Sequence, residues 1–408
     1  MITPQAVTEL ASPLIELYTK IEDELIHNIA SRFPTNGKIT DIKAWQIKQL
    51  SEMGMLNKQN AKLIAQYSGL TDEYINSVIS TAGYTSVLCD ETIYQMAFDA
   101  GAALTIPHAV GESILMRNML TATIRNAKAE MNLVNTTALE TSKKLFIDTV
   151  NQVFLEVNTG TYSYDQAVRK AVVKLGDEGI KGAHYISERG KHTYNQIDVA
   201  VRRCILTSSS QVAGEMQLGR AKEWGSNLVE VTSHMAARPS HALWQGKIFM
   251  IDGSDEKYRN LVEATDYGSI TGLKGANCAH DFYPYFPGIS TQTYKPYDTD
   301  ANKKAYENAQ IQRKYEREIR AEKRKAVAAD ASGDTELSAK ANKKIAEKQA
   351  ELRQHVKATG RTYRANREQV IGYVKSVDKK AAAAVKSFGA KPIKVPEQPV
   401  KPIEQVIK

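Results

Sequence analysis

The chain has 408 residues, of which 42% are hydrophobic and 25% charged, an ordinary globular balance that excludes a wholly disordered or collagen-like protein. No run approaches the roughly 18–20 apolar residues of a membrane helix. Three widely separated cysteines, Cys89, Cys204 and Cys278, exclude a disulfide framework and fit a reducing compartment. The formal net charge of +8 gathers late in the chain. It reads as a solvated basic tail that could meet DNA, RNA or an acidic protein.

The start, Met1-Ile-Thr-Pro-Gln-Ala, lacks the basic and apolar segments of a signal peptide, so synthesis in a cytoplasm is expected. Residues 5–32 carry Leu14, Tyr18, Ile21, Leu25 and Ile29 at helical spacing, and Phe33-Pro34 through Gly37 ends that helix. Shorter helices are predicted from Asp41 to Met53 and from Asn57 to Tyr67, the second stopping at Ser68-Gly69. Thr71 reads as the N-cap of a further helix that ends near Gly83. Helical patterns continue from Asp90 to Thr159, with Pro107 starting or kinking a helix. Gly160 breaks them. Helices are predicted for Tyr164–Leu175 and Gln196–Glu223.

The pattern changes at Trp224-Gly225. Leu228–Thr232, Lys247–Ile251 and His280–Phe286 are β-prone, so residues 225–290 read as a small mixed module of short strands and loops. Beyond Pro296 the chain is rich in Ala, Lys, Glu and Arg. Ile311, Tyr315 and Ile319 form one narrow apolar stripe, and Leu337, Ala341, Ile345, Leu352 and Val356 a second, with a break at Ala331–Asp334. Two antiparallel helices with a charged, solvated surface, or long helices packing on a partner, are expected. The Pro/Lys-rich end reads as disordered. The predicted fold class is therefore α+β, mostly α. Regions are placed at 1–85 (helical), 86–223 (helical), 224–296 (the module), 297–388 (charged, helical) and 389–408 (disordered tail).

The module holds two clusters of side chains that are costly to bury without partners. The first contains His234, Arg238, His241, Trp244 and Gln245; the second contains Asn277, Cys278 and His280. We read them first as a buried polar network bonding loop carbonyls and one another, with Asn277 favouring a turn. Two sharper readings stand beside it. His234, His241, Cys278 and His280 supply three nitrogens and a sulfur, a donor set that suits tetrahedral zinc. Cys278 with His234 or His241 as base would be a nucleophile pair. No phosphate-cradling loop or Gly-x-Ser-x-Gly motif is present, and no catalytic residue is assigned.

The string Ala237-Arg238-Pro-Ser-His241-Ala-Leu-Trp-Gln-Gly246-Lys-Ile-Phe249 is followed by Gly272-Leu-Lys-Gly-Ala-Asn277-Cys278-Ala-His280 and the aromatic run to Ser290. Together they resemble the phage minor capsid protein 2 family. Tyr164–Leu175, Val201–Gln211 and Gln312–Arg320 resemble its helical middle and charged helix. The resemblance runs from the first helix to about residue 370 and is more distant to the Mu F-like head morphogenesis proteins. Ala279 stands where that pattern usually has Arg, and Lys274 and Ala276 replace an expected Cys and aromatic residue. The resemblance implies a low-copy structural protein of the phage head, assembled in the host bacterial cytoplasm. Its expected partners are the portal protein and capsid, and packaged DNA through nonspecific phosphate contacts; no membrane is expected. It implies a role in head morphogenesis or genome delivery. A head-carried hydrolase, nuclease or toxin-like transferase using the His/Cys/Arg cluster is the competing reading, and a nonspecific DNA-binding head protein a third.

Overall fold

The computed structural model describes residues 4–35, 39–186 and 190–370. The first apolar stripe becomes α1 (Pro4–Ala30), whose Leu14, Tyr18, Ile21, Leu25 and Ile29 are all buried. Next comes α2 (Ile42–Asp99), started by the Asp41 carboxylate, which accepts the N–H groups of Lys43 and Ala44. The two short helices expected here, and the cap at Thr71, are one continuous helix of 58 residues. The Thr71 hydroxyl donates back to the Tyr67 carbonyl at 2.9 Å and that of Ser68 to Ala65 at 2.9 Å. Both polar groups are thereby satisfied inside the helix, and neither competes with it. Ile64, Ile75, Val78, Ile79 and Ala82 carry one buried stripe across the expected break. Gly83 is not a terminus but a close approach, since a Cβ there would lie 2.5 Å from the Met216 sulfur. The boundary placed at residue 85 falls inside this helix.

Pro107 starts no helix; it lies in the irregular stretch before a 3-10 turn at Val110–Glu112. Helix α3 (Ile114–Asn158) begins instead where the Ser113 hydroxyl accepts the Met116 N–H. Helix α4 (Tyr164–Glu178) starts on a capping box between Ser163 and Gln166. Strands β1 (Lys181–Ile186) and β2 (His192–Gln196) then form an antiparallel pair that leaves no apolar alternation, because apart from Gly182 its residues are exposed or only half-buried. Helix α5 spans Ile197–Trp224. The module follows as β3 (Leu228–Val231), α6 (Pro239–Ala242), β4 (Ile248–Met250), α7 (Leu261–Thr265) and β5 (Phe282–Pro284), with an antiparallel sheet in the order β4-β3-β5. Two antiparallel helices, α8 (Thr299–Ser332) and α9 (Thr335–Thr359), follow, and a 3-10 turn at Ala365–Arg367 lies near the end of the described residues. The Pro/Lys-rich segment 389–408 lies outside the described residues. Among the described residues no helix is long and apolar enough to cross a membrane.

One apolar core joins α1 to α5 with Val327 and Ala328 of α8. A second fills the module and takes Tyr94 and Ala97 from α2 and Ala221 and Trp224 from α5. The α8 surface differs from the solvated face expected. Ile311 of the first stripe is exposed, while Ile319 is buried together with Glu316, Arg320, Lys323 and Arg324. These charges are buried because they have partners. Arg324 donates to the Gly176 carbonyl at 3.1 Å, Lys323 to that of Glu368 at 2.8 Å, and Arg364 grips Glu316 through two nitrogens at 2.9 and 2.8 Å. Part of the late basic excess is thus interior rather than available to a partner.

Gln217 of α5 ties the module to the helices by donating to Asp90 at 2.9 Å and to the Phe282 carbonyl at 2.9 Å. Burial pushes the Asp90 carboxyl up to about 7, against the lowering effect of the Gln217 bond. The folded state therefore holds a proton there that the unfolded chain has lost above about pH 4. Stability contributed at this site falls as pH rises from about 4 to about 7, and is flat above. Asp90→Asn keeps an acceptor for Gln217 and removes the titration. Denaturant titrations at pH 4 and pH 8 should show the variant gaining on the parent by up to roughly 4 kcal/mol.

Candidate functional site

Strand register brings the two clusters together. Val231 at the end of β3 pairs with Phe282 at the start of β5, and Glu230 pairs with Ile248 at the start of β4. The loop leaving β3 and the loop entering β5 therefore meet at one end of the sheet. Two bonds extend the pairing: the Thr232 N–H donates to the Asp281 carbonyl at 2.8 Å, and the Asp281 N–H to the Thr232 hydroxyl at 2.8 Å.

The Arg238-Pro-Ser-His241 string is a single helical turn, with Arg238 as N-cap and Pro239 at the first position, where a fixed φ and a missing N–H do no harm. This turn aims two donors at the loop before β5. The Arg238 guanidinium donates to the Ala276 carbonyl at 2.6 Å, and His241 Nε2 donates to the Thr271 carbonyl at 2.8 Å. The receiving loop is tightly folded. A Cβ on Gly272 would lie 1.8 Å from the Asp266 carbonyl oxygen, and one on Gly275 2.6 Å from that of Ile270. Lys274 and Asn277 both have left-handed backbones, with φ of 61° and 57°. Asn277 is exposed and serves as a turn residue. Lys274 is buried, forms an ion pair with Asp281, and places its ammonium 5.2 Å from the Phe282 ring centre.

Backbone crowding makes a direct prediction. Gly272→Ala should destabilise by at least about 1–3 kcal/mol, because the loop backbone must move. Gly69→Ala, inside α2 with nothing within 4 Å of the added methyl, should stabilise by about 0.5–1 kcal/mol. Thermal unfolding of the two variants should therefore move in opposite directions.

Gln245 sets the tautomers. Its Oε1 accepts the His234 backbone N–H at 3.0 Å, so that atom must be the oxygen, and His280 Nε2 at 3.1 Å from it must carry a proton. His280 Nδ1 then bears a lone pair. The same reasoning at Thr271 leaves His241 Nδ1 bare. The two bare nitrogens face each other at 3.4 Å, with Cys278 Sγ 3.6 Å from His280 Nδ1 and 3.8 Å from His241 Nδ1. Burial holds both imidazoles neutral, pushing His241 down to about 4 and His280 down to about 2. Burial pushes the Cys278 thiol up, away from the thiolate that a nucleophile needs. Trp244 packs on both rings, at 4.5 Å from His241 and 4.7 Å from His280.

His234 stands slightly apart. Its ring lies 4.2 Å from that of His280, its Nδ1 bonds the Met235 carbonyl at 3.1 Å, and its Nε2 is buried without a hydrogen bond. The atoms that converge within 4.8 Å come from His241, Cys278 and His280. Two supporting residues carry no sequence signal of their own. Asn302 of α8 accepts the Ala237 N–H at 3.0 Å and donates to the Ala237 carbonyl at 2.9 Å. Buried Glu230 accepts the Thr293 N–H at 2.8 Å.

The family model described as phage minor capsid protein 2 matches residues 2–357. The chain belongs to the phage minor capsid protein 2 family. A "Structural protein" of Lactococcus phage LL-H is 26% identical over 336 residues, covering 78% of this chain and 88% of that protein. A "Structural protein" of Lactococcus phage mv4 is 38% identical over 90 residues, covering 22% of this chain and 73% of that protein. No solved structure matches the chain. In this minor capsid family member the matched span takes in every helix from α1 to α8, the whole module and most of α9.

Proposed function

We propose that this chain is a low-copy structural component of a tailed phage head, bound at the portal vertex and acting in head morphogenesis or genome delivery. The observation that carries the reading is the family match across residues 2–357. The helical body supports it physically. Helices α2 and α3 leave Ile47, Met55, Ile114, Leu133 and Leu155 exposed, which supplies apolar surface for docking on the portal or the inner capsid wall. Exposed Lys303, Lys304, Lys340, Lys343 and Lys344 on α8 and α9 suit nonspecific contact with packaged DNA, which would weaken steeply with salt.

The test is particle composition. Mass spectrometry of purified virions should detect the chain at a small number of copies relative to the major capsid protein. A nonsense mutant should yield defective heads or particles that fail to deliver DNA. Virions that lack the chain yet infect at the parental titre would overturn the reading.

A further inference from the structure

We propose that His241 Nδ1, His280 Nδ1 and Cys278 Sγ form a binding site for a borderline-soft divalent metal ion of the zinc type. The inference goes beyond the role in the phage head and does not depend on it.

The first support is distance. Zinc sits about 2.0–2.1 Å from imidazole nitrogen and about 2.3 Å from thiolate sulfur, in a tetrahedron. Three vertices of that tetrahedron are then separated by roughly 3.3–3.4 Å between nitrogens and roughly 3.6 Å between nitrogen and sulfur. The side chains here stand at 3.4 Å for the nitrogen pair and 3.6 and 3.8 Å for the two nitrogen–sulfur pairs. They already outline one face of a coordination tetrahedron.

The second support is proton bookkeeping. Each imidazole spends its one N–H on a carbonyl oxygen: His241 on Thr271 and His280 on Gln245. Two lone pairs are thus turned on each other inside the protein, a repulsive arrangement that a cation between them relieves. These outer bonds are the kind that orient metal-bound histidines. A further buried lone pair, on His234 Nε2, has no hydrogen bond and belongs to a ring whose centre lies 4.2 Å from that of His280, tilted by 33°. The donor set of two nitrogens and one sulfur favours zinc, cobalt or copper over magnesium or calcium.

Binding displaces the Cys278 thiol proton to solvent and forms one metal–sulfur and two metal–nitrogen bonds, with no change of oxidation state. The ion joins the loop after β3 to the loop before β5. The ion fastens the turn that carries His241 to the segment that carries Cys278 and His280, and a water molecule completes its tetrahedron.

The competing state is a metal-free network in which the Cys278 thiol donates to one imidazole. Cobalt(II) added to the full-length, metal-stripped protein separates the two. The expected result is a sulfur-to-cobalt charge-transfer band together with the intense visible bands of tetrahedral cobalt. Zinc should displace both at one ion per chain. Cys278→Ser should lose the charge-transfer band, and His241→Ala should weaken cobalt affinity at least tenfold. Circular dichroism checks that each variant is folded, and the parent protein alone suffices if neither is. Parent protein that is folded, binds no zinc by elemental analysis and gives no charge-transfer band with cobalt would overturn the proposal.

Discussion

Arg220→Ala is expected to cost about 3–5 kcal/mol of unfolding free energy, the range for removing one partner from a buried ion pair. The guanidinium is 1% exposed. It donates to both Glu91 oxygens at 2.6 and 2.8 Å, to Glu223 at 2.6 Å and to the His108 carbonyl at 2.9 Å. Glu91 also accepts the Trp224 indole N–H at 3.0 Å, and Glu223 the Ser113 hydroxyl at 2.6 Å. The cluster therefore fixes the point where α2, α5 and the start of α3 meet beneath the module. Alanine leaves two carboxylates without their shared cation. The double variant Arg220→Met with Glu91→Gln should recover part of the loss, because one of the two stranded charges goes with the cation while Glu223 keeps the Ser113 hydroxyl. Denaturant titrations measure both. A single-variant loss below about 1 kcal/mol would show that the cluster behaves like a surface pair.

Phe282→Ala should be of similar size, about 3–5 kcal/mol, from lost transfer energy and the cavity left behind. The ring is 1% exposed, meets Tyr267 edge-on at 6.1 Å and lies under the Lys274 ammonium. Its removal also admits water beside the Lys274–Asp281 pair. Phe282→Leu, which fills most of the space, should cost far less than the alanine change. Equal losses for leucine and alanine would mean that ring volume is not what holds β5.

The helices α1, α4, α5, α8 and α9 were legible because apolar residues recur in them at three- and four-residue steps, even where, as in α1, α5 and α8, burial extends beyond one stripe. Residues 42–99 misled because Ser68, Gly69 and Thr71 look like termination and capping signals locally, and only the neighbours show that their polar groups bond backward. The β1–β2 pair could not be read, since strands with no fully buried side-chain face need no apolar alternation. Within the module, the residue types announced a polar cluster. The convergence of His241, Cys278 and His280 depends on the pairing of Val231 with Phe282, which no spacing encodes. Gln245 was named for its position beside the histidines, but its role in setting tautomers rests on one backbone N–H, that of His234. Lys274 looked like a departure from a pattern and instead supplies the buried partner of Asp281.

The length of α2 has a consequence for cooperativity. One unbroken helix lends Leu56, Ile75 and Val87 to the first core and Tyr94 and Ala97 to the second. Fraying at either end therefore removes walls from a core, so the two cores should melt as one unit. Nature has placed reporters for this. Trp45 sits near the start of α2 against Phe33, and Trp224 stacks on Tyr94 near its end at 5.4 Å. Variants keeping a single emitter at either site should trace superimposable denaturation curves, whereas separated midpoints would mean that the helix breaks between them.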